Sequence, residues 1–152
     1  MPNAAAIDIG HHTTLCDGWV LSDLTPETAC SQAKIKIGSY CTILHDFQCN
    51  ACLSVEIQDH VLIAPRVFIT DSDHVVSESG EHTTIRNDFR SKPVIIGHDC
   101  WLGVNAVVLK GVTIGHHSII GANAVVTHDI PAGSTVAGIP ARAIRKVQAG
   151  SA

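Results

Sequence analysis

From Ile96 onward an aliphatic side chain returns every six residues, at Ile96, Leu102, Val108, Ile114, Ile120 and Val126. Four residues beyond each stands a second, mostly small set: Cys100, Ala106, Val112, Ser118, Ala124 and Ile130. Gly97, Gly103, Gly115 and Gly121 follow four of the aliphatic positions directly, and Thr127 follows another. Earlier stretches repeat the rhythm: Ile57, Ile63, Ile69 and Val75 with companions Val61 and Val67, then Ile37, Ile43 and Cys49, and more weakly Ile9, Leu15 and Leu21. An amphipathic helix returns at three and four residues and a half-buried strand at two, so neither explains a period of six. A short strand followed by a tight bend does. Three such units close a triangular coil, and residues 18 apart, such as Ile96 and Ile114, then stack as parallel strands about 4.8 Å apart. The aliphatic position faces the interior of the prism, and the glycine is expected to admit bend angles that a larger side chain resists. Coils that touch mainly their neighbours make a solenoid.

Two departures from the period organise the single domain, residues 1–152. Between Val75 and Ile96 lies a polar stretch, VSESGEHTTIRNDFRSK, which reads as an excursion loop over residues 76–93. After Pro131 the rhythm lapses, so residues 132–152 read as a C-terminal cap and tail, with Ala141–Val147 as a short helix or capping strand. A solenoid must cover its open ends, because bare strand edges and apolar core invite association. Residues 1–33 are therefore expected to form an N-terminal cap and first weak coil, with Trp19 plugging the end, ahead of a β-helix over 35–131.

Composition narrows the function. Ten Lys and Arg against fourteen Asp and Glu leave a formal charge of −4, which argues against a nucleic-acid binder led by phosphate contacts. Hydrophobic residues make up 45% and charged ones 16%, which excludes a disordered chain. The first twenty residues lack a basic start and a long apolar block, so neither a secretory signal nor a membrane span is expected and a cytoplasmic location follows. In that compartment the six cysteines are expected to be reduced thiols. Cys49-x-x-Cys52 has no partner pair nearby, so no structural metal is expected there. A cysteine nucleophile is disfavoured, since most of the cysteines occupy core positions of the repeat, where a buried thiol is inert.

Residues 35–147 resemble the hexapeptide-repeat acyltransferases, in particular the galactoside, maltose, nodulation-factor and surface-polysaccharide O-acetyltransferases. The stretches that carry the likeness are IKIGSYCTI, VLIAPRVFITDSDHV, KPVIIGHDCWLGVNAVVLKGVTIG, SIIGANAVVTHDIPAGS and VAGIPARAIRKV. The resemblance implies an all-β fold, a left-handed parallel β-helix, whose hand departs from the usual right-handed crossover. It also implies a homotrimer with active sites at subunit interfaces, and acetyl-CoA as co-substrate with no metal required. His74, at the end of LIAPRVFITDSDH, matches the family's catalytic histidine: a base working near neutral pH that takes the proton of an acceptor hydroxyl. Asp71 and Asp73 flank it, and either is placed to orient the ring or to touch the acceptor.

By the same likeness Trp101, Leu102, Gly103 and Val104 wall the pantetheine groove, their backbone N–H groups offered to the cofactor or the developing oxyanion. Packing at a subunit interface is an equal role for Trp101. Ala122, Thr127 and His128 match the nucleotide end, although relatives often carry Lys at the position of His128. Arg142 and Arg145 match residues that pair with the cofactor phosphates, a task suited to guanidinium. The Asn and Asp that galactoside-type relatives present to the sugar fall on Leu44 and Cys52. His45, Asp46 and Gln48, or Arg86, Asn87, Asp88 and Arg90 of the loop, are then the candidates for acceptor contacts.

The activity implied is direct acetyl transfer to a hydroxyl of a sugar or surface-polysaccharide precursor. N-acetylation of an amino sugar or xenobiotic is the nearest alternative, since one base serves either nucleophile. A γ-type carbonic anhydrase would need three histidines on zinc. His98 and His116 are one coil apart, but both stand at bends beside glycine, where side chains face solvent. A non-catalytic solenoid used for assembly is the remaining class.

Overall fold

The structure, a computed structural model, describes residues 7–24, 34–75 and 89–146. Its strands line three faces of a prism. Face A stacks β1 (Ile7–Ile9), β4 (Ile35–Ile37), β7 (Val55–Ile57), β12 (Val94–Ile96) and β15 (Thr113–Ile114). Face B stacks β2 (Thr14–Leu15), β5 (Thr42–Ile43), β8 (Leu62–Ile63), β13 (Trp101–Leu102), β16 (Ile119–Ile120) and β18 (Ser134–Ala137), with β19 (Arg142–Lys146) on its end. Face C stacks β3 (Val20–Asp23), β6 (Gln48–Ala51), β9 (Phe68–Thr70), β14 (Val107–Val108) and β17 (Val125–Val126). All rungs are parallel except β19, which folds back antiparallel on β18. The segment left open between helix and strand is thus a capping strand.

The period-six aliphatics form vertical columns. Ile9, Ile37, Ile57, Ile96 and Ile114 stack on face A, and Leu102, Ile120 and Val136 continue the face B column. Ile57, Ile63, Ile69, Ile96, Leu102, Val108, Ile114, Ile120 and Val126 are fully buried, and so are companions such as Val61, Val67, Ala106 and Ala124. Burying one Val, Leu or Ile contributes about 1.5–3 kcal/mol, so the two buried positions per hexad carry the fold. The end coil is weaker: Ile9 is 41% exposed. Residues 7–23 nevertheless make a complete first coil in register with β4, β5 and β6. Trp19 is 46% exposed and does not plug the end as expected.

Backbone amides bond from coil to coil, as in Gly97 N–H to the Ile114 carbonyl at 2.8 Å and Gly38 N–H to the Ile57 carbonyl at 2.7 Å. This ladder corrects the reason for the glycines. None of Gly97, Gly103, Gly115 and Gly121 adopts a positive φ. A Cβ on Gly97 would lie 2.6 Å from the His116 nitrogen, and one on Gly115 2.3 Å from the Ala132 nitrogen. The glycines are there because the neighbouring coil comes too close for a side chain. The left-handed backbone falls on other residues: His12, Tyr40, His60, Asp99 and His117 where face A turns into face B, and Asp46, Arg66, Asn105 and Asn123 where B turns into C, with φ of 57–60°. Seven of those nine are Asn, Asp or His, the types that tolerate this region best.

Departures from the 18-residue coil all fall on the third edge, where face C turns into face A. Ile37 and Ile57 are paired across 20 residues, Ile57 and Ile96 across 39, and Ile114 and Ile130 across 16. Asp71 anchors this edge. Its side chain is fully buried, and its carboxylate accepts from the backbone N–H of Cys52 at 2.8 Å, Leu53 at 2.6 Å and Ser54 at 2.7 Å. The Asp71 carbonyl also accepts the Lys92 amide as the chain returns. The excursion leaves and returns through a paired neck: β10 (Ser72–His74) pairs antiparallel with β11 (Phe89–Ser91), so residues 89–91 of the expected loop are strand. Residues 76–88 lie outside the described residues.

Cys16, Cys41, Cys49, Cys52 and Cys100 are free thiols, while Cys30 lies outside the described residues. Burial raises the thiol pKa of Cys41, Cys49 and Cys100, and for Cys49 the nearby Asp71 charge adds to it. These three are core side chains.

Two substitutions test this architecture by urea denaturation. Gly97→Ala should cost about 1–3 kcal/mol, the usual penalty of forcing atoms into a filled space; a loss below about 0.5 kcal/mol would contradict the close-approach account. Asp71→Asn, isosteric but neutral and carrying donors where three N–H groups converge, should cost about 3 kcal/mol.

Candidate functional site

His74 is the last residue of β10, directly opposite Phe89 across the hairpin neck, with ring centroids 4.7 Å apart at 44°. The imidazole is exposed yet held by this neck, which leaves face C at the edge anchored by Asp71. Asp73, one residue earlier, sits opposite Arg90, and its carboxylate accepts a bond from the Lys110 ammonium. Lys110 escaped the sequence reading. It occurs where Leu109–Lys110–Gly111 replaces the regular glycine after Val108, and that break was the available signal. Thr127 Oγ1 and His128 Nδ1 lie 2.8 Å apart. Lys110 and His128 each stand two residues past the paired strands β14 and β17, so the CA edge gathers His74, Asp73, Lys110, Thr127 and His128.

Asp71 is not part of this group. With both carboxylate oxygens bonded to the Cys52–Ser54 amides and no exposed surface, it cannot touch an acceptor. The expectation that it contacts substrate is corrected: it is the structural anchor beneath the hairpin.

A second group lies on face B and the BC edge. Trp101 is 48% exposed and stands in register with Leu62, itself 39% exposed. Gly103 lies under Ala122, since a Cβ there would be 2.7 Å from the Ala122 nitrogen. The Val104 carbonyl accepts the Asn123 amide at 2.8 Å. Trp101, Gly103, Val104 and Ala122 thus form one patch. The Trp101 and Gly103 amides are bonded to the Ser118 and Ile120 carbonyls, so these two are not offered to a ligand, contrary to the sequence expectation. Arg142 opens β19 opposite Ala137 and is exposed, and Arg145 is placed opposite Thr135.

His45 and Asp46 are exposed on the BC edge. Asp46, Gln48 and Arg66 line an open hollow of about 320 Å³ with Gly18, Val67 and Phe68. Above it runs a polar ladder, Arg66 Nε to Asn105 Oδ1 at 2.8 Å and Asn105 Nδ2 to Asn123 Oδ1 at 3.0 Å. Arg86, Asn87 and Asp88 lie outside the described residues. Within one chain, therefore, the residues around His74 and those around Trp101 occupy different edges, with the width of face C between them.

The AB edge carries the pair one coil apart, His98 and His116. His98 and His116 have ring centroids 4.8 Å apart and planes within 6°. They stand at the AB edge, on solvent-facing bends as expected, and not beside His74. The Asp99 carboxyl is held below its usual range, chiefly by its hydrogen bond to His98.

Comparison with known proteins agrees with the fold. Residues 93–128 match the family model described as the hexapeptide repeat of succinyl-transferase. Galactoside O-acetyltransferase of Escherichia coli K12 is 40% identical over 107 residues, covering 70% of this chain and 48% of the relative. A solved galactoside acetyltransferase in complex with coenzyme A superposes with a TM-score of 0.79 at 31% identity, covering 94% of this chain and 66% of that one. A hexapeptide-repeat acetyltransferase of Vibrio cholerae complexed with acetyl coenzyme A gives 0.79 at 28% identity, covering 93% and 71%. The chain spans about half the length of the curated relatives it matches. With its three parallel faces, its period-six core and its hairpin-borne His74, this left-handed parallel β-helix belongs to the hexapeptide-repeat acyltransferase family.

Proposed function

We propose that the protein is an acetyl-CoA-dependent O-acetyltransferase acting on a hydroxyl of a sugar or surface-polysaccharide precursor in the cytoplasm, with His74 as general base. One observation carries the reading: His74 is an exposed imidazole on a paired hairpin neck, in a chain similar to acetyltransferases solved in complex with coenzyme A or acetyl coenzyme A. His74 takes the acceptor proton as its oxygen attacks the thioester carbonyl. The new C–O bond forms, the tetrahedral intermediate collapses with cleavage of the C–S bond, and the imidazolium returns its proton to the departing thiolate. The Asp73–Lys110 pair fixes the strand position next to the base.

The separation of the two residue groups supports a homotrimer. One copy supplies the His74 edge, and a neighbour supplies the Trp101, Gly103, Val104 and Ala122 patch that walls the pantetheine. Trp101 and Leu62, exposed side by side on face B, give that contact apolar area. Arg142 and Arg145 pair with the cofactor phosphates, and Thr127 and His128 line the nucleotide end without the cation that relatives often place there. His45 and Asp46, beside their hollow, together with Asp73, supply acceptor contacts.

Coenzyme A release measured against a panel of saccharides, amino sugars and small alcohols tests the reaction class; turnover on amino sugars alone would move the assignment to N-acetylation. His74→Ala should lower kcat about a hundred- to ten-thousand-fold while the Kd for acetyl-CoA stays within about twofold. Arg142→Ala should do the reverse, raising the KM for acetyl-CoA about tenfold through loss of a charge-assisted bond with kcat nearly unchanged. Light scattering should give three times the 16.1 kDa chain mass, and a fully active monomer would overturn the shared-site reading.

A further inference from the structure

Six of the ten histidines, His11, His12, His60, His98, His116 and His117, fall on the AB edge, which the acetyl-transfer reading does not use. The coil-to-coil ladder puts them there: the Asp99 amide bonds to the Asp59 carbonyl, and the His117 amide to the His98 carbonyl at 3.0 Å. Histidine side chains on consecutive coils therefore stand one above another. At the upper part of the edge the stack becomes a convergence. The His117 ring is nearly perpendicular to both stacked rings, at 85° to His98 and 83° to His116, with centroids 5.2 and 5.1 Å away.

Two consequences follow for the ring nitrogens. His116 Nδ1 and His117 Nδ1 are 3.2 Å apart. Ligands at 2.0–2.1 Å from a tetrahedral zinc ion are separated by about 3.3–3.4 Å, so this pair already spans one edge of the coordination polyhedron. One nitrogen from each of His98, His116 and His117 lies within 4.8 Å of the others, a distance that rotation of an exposed ring closes. Behind them, Asp99 Oδ2 bonds His98 Nδ1 at 2.7 Å and lies 3.9 Å from His117 Nε2. A carboxylate at the back of a histidine fixes ring orientation and raises ligand basicity in metal sites.

We propose that His98, His116 and His117 form a surface site for a divalent transition-metal ion of the zinc type, with water as the fourth ligand and Asp99 steadying the His98 ring. Three neutral imidazoles select zinc, copper or nickel over the oxygen-seeking magnesium and calcium. All three ligands come from one chain and from two consecutive coils, so the ion clips those coils together on the edge away from His74. The site does not depend on the acetyl-transfer reading.

The test uses the full chain carrying no added histidines, titrated with zinc by calorimetry and with cobalt by visible absorption. One equivalent per chain, a tetrahedral cobalt spectrum, and a melting temperature raised by about 5–10 °C at a hundredfold excess over Kd are expected. His117→Asn, which keeps a side chain suited to the left-handed backbone there, and His116→Ala should each weaken zinc binding at least tenfold with far-UV circular dichroism unchanged. A His11→Ala/His12→Ala double variant, on the same edge but remote from the cluster, should bind as the parent does. Absence of saturable binding, equal response to magnesium, or equal loss in the His11/His12 variant would overturn the proposal.

Discussion

Everything in this molecule depends on how closely one coil lies upon the next. Amide and carbonyl groups of successive coils meet at 2.7–3.3 Å, and at Gly97, Gly103 and Gly115 the approach leaves no space for even a methyl group. A coil can bond to its neighbour along three faces only if both have the same shape. The constraint fixes side-chain columns, forces the left-handed residue to the same place in every turn, and pushes each change of length to an edge. It also explains a core built from Val, Ile, Leu, Ala and Cys in which, among the described residues, Phe47 is the one buried aromatic side chain: the prism has a constant, narrow bore.

Each edge has taken on a different job under that constraint. The CA edge absorbs every insertion, and the excursion that carries His74 leaves from there. An insertion interrupts the ladder, so its root needs other bonds, and the buried Asp71 carboxylate supplies three of them. The BC edge is closed by the Arg66–Asn105–Asn123 ladder. The AB edge keeps one shape through five coils and has accumulated imidazoles. Stacking makes this possible, because any residue type that repeats in the sequence is brought to within about 5 Å of its copies.

Much of this was legible beforehand, for a physical reason. A period of six aliphatics reports a local geometry, so the core positions from Ile37 to Val126 and the interruption of the coil between Val75 and Ile96 follow from spacing, whereas the choice between helix and strand for the last segment does not. The period shows where glycine sits but not why: the left-handed angle and the close approach give the same residue in the same place, and only the distance from Gly97 to His116 separates them. Asp71 looked like a partner of His74 because it is three residues away. It is a partner of Cys52, Leu53 and Ser54 because a two-residue insertion in the coil below turned three amides toward it. Lys110 was missed since its partner Asp73 lies 37 residues away across an irregular edge. His98 and His116 were paired by their 18-residue spacing, whereas His117 and Asp99 entered only once ring orientations were known.

Local periodicity and motif determined the solenoid, its family and the candidate base, because these depend on interactions between residues near in sequence or one coil apart. Tertiary structure decided which edge each side chain occupies, which amides remain available, which carboxylate is an anchor, and that the two halves of the candidate site stand on different edges of one chain. Those outcomes depend on distances between coils whose offset is set by insertions, and a sequence period carries no record of them.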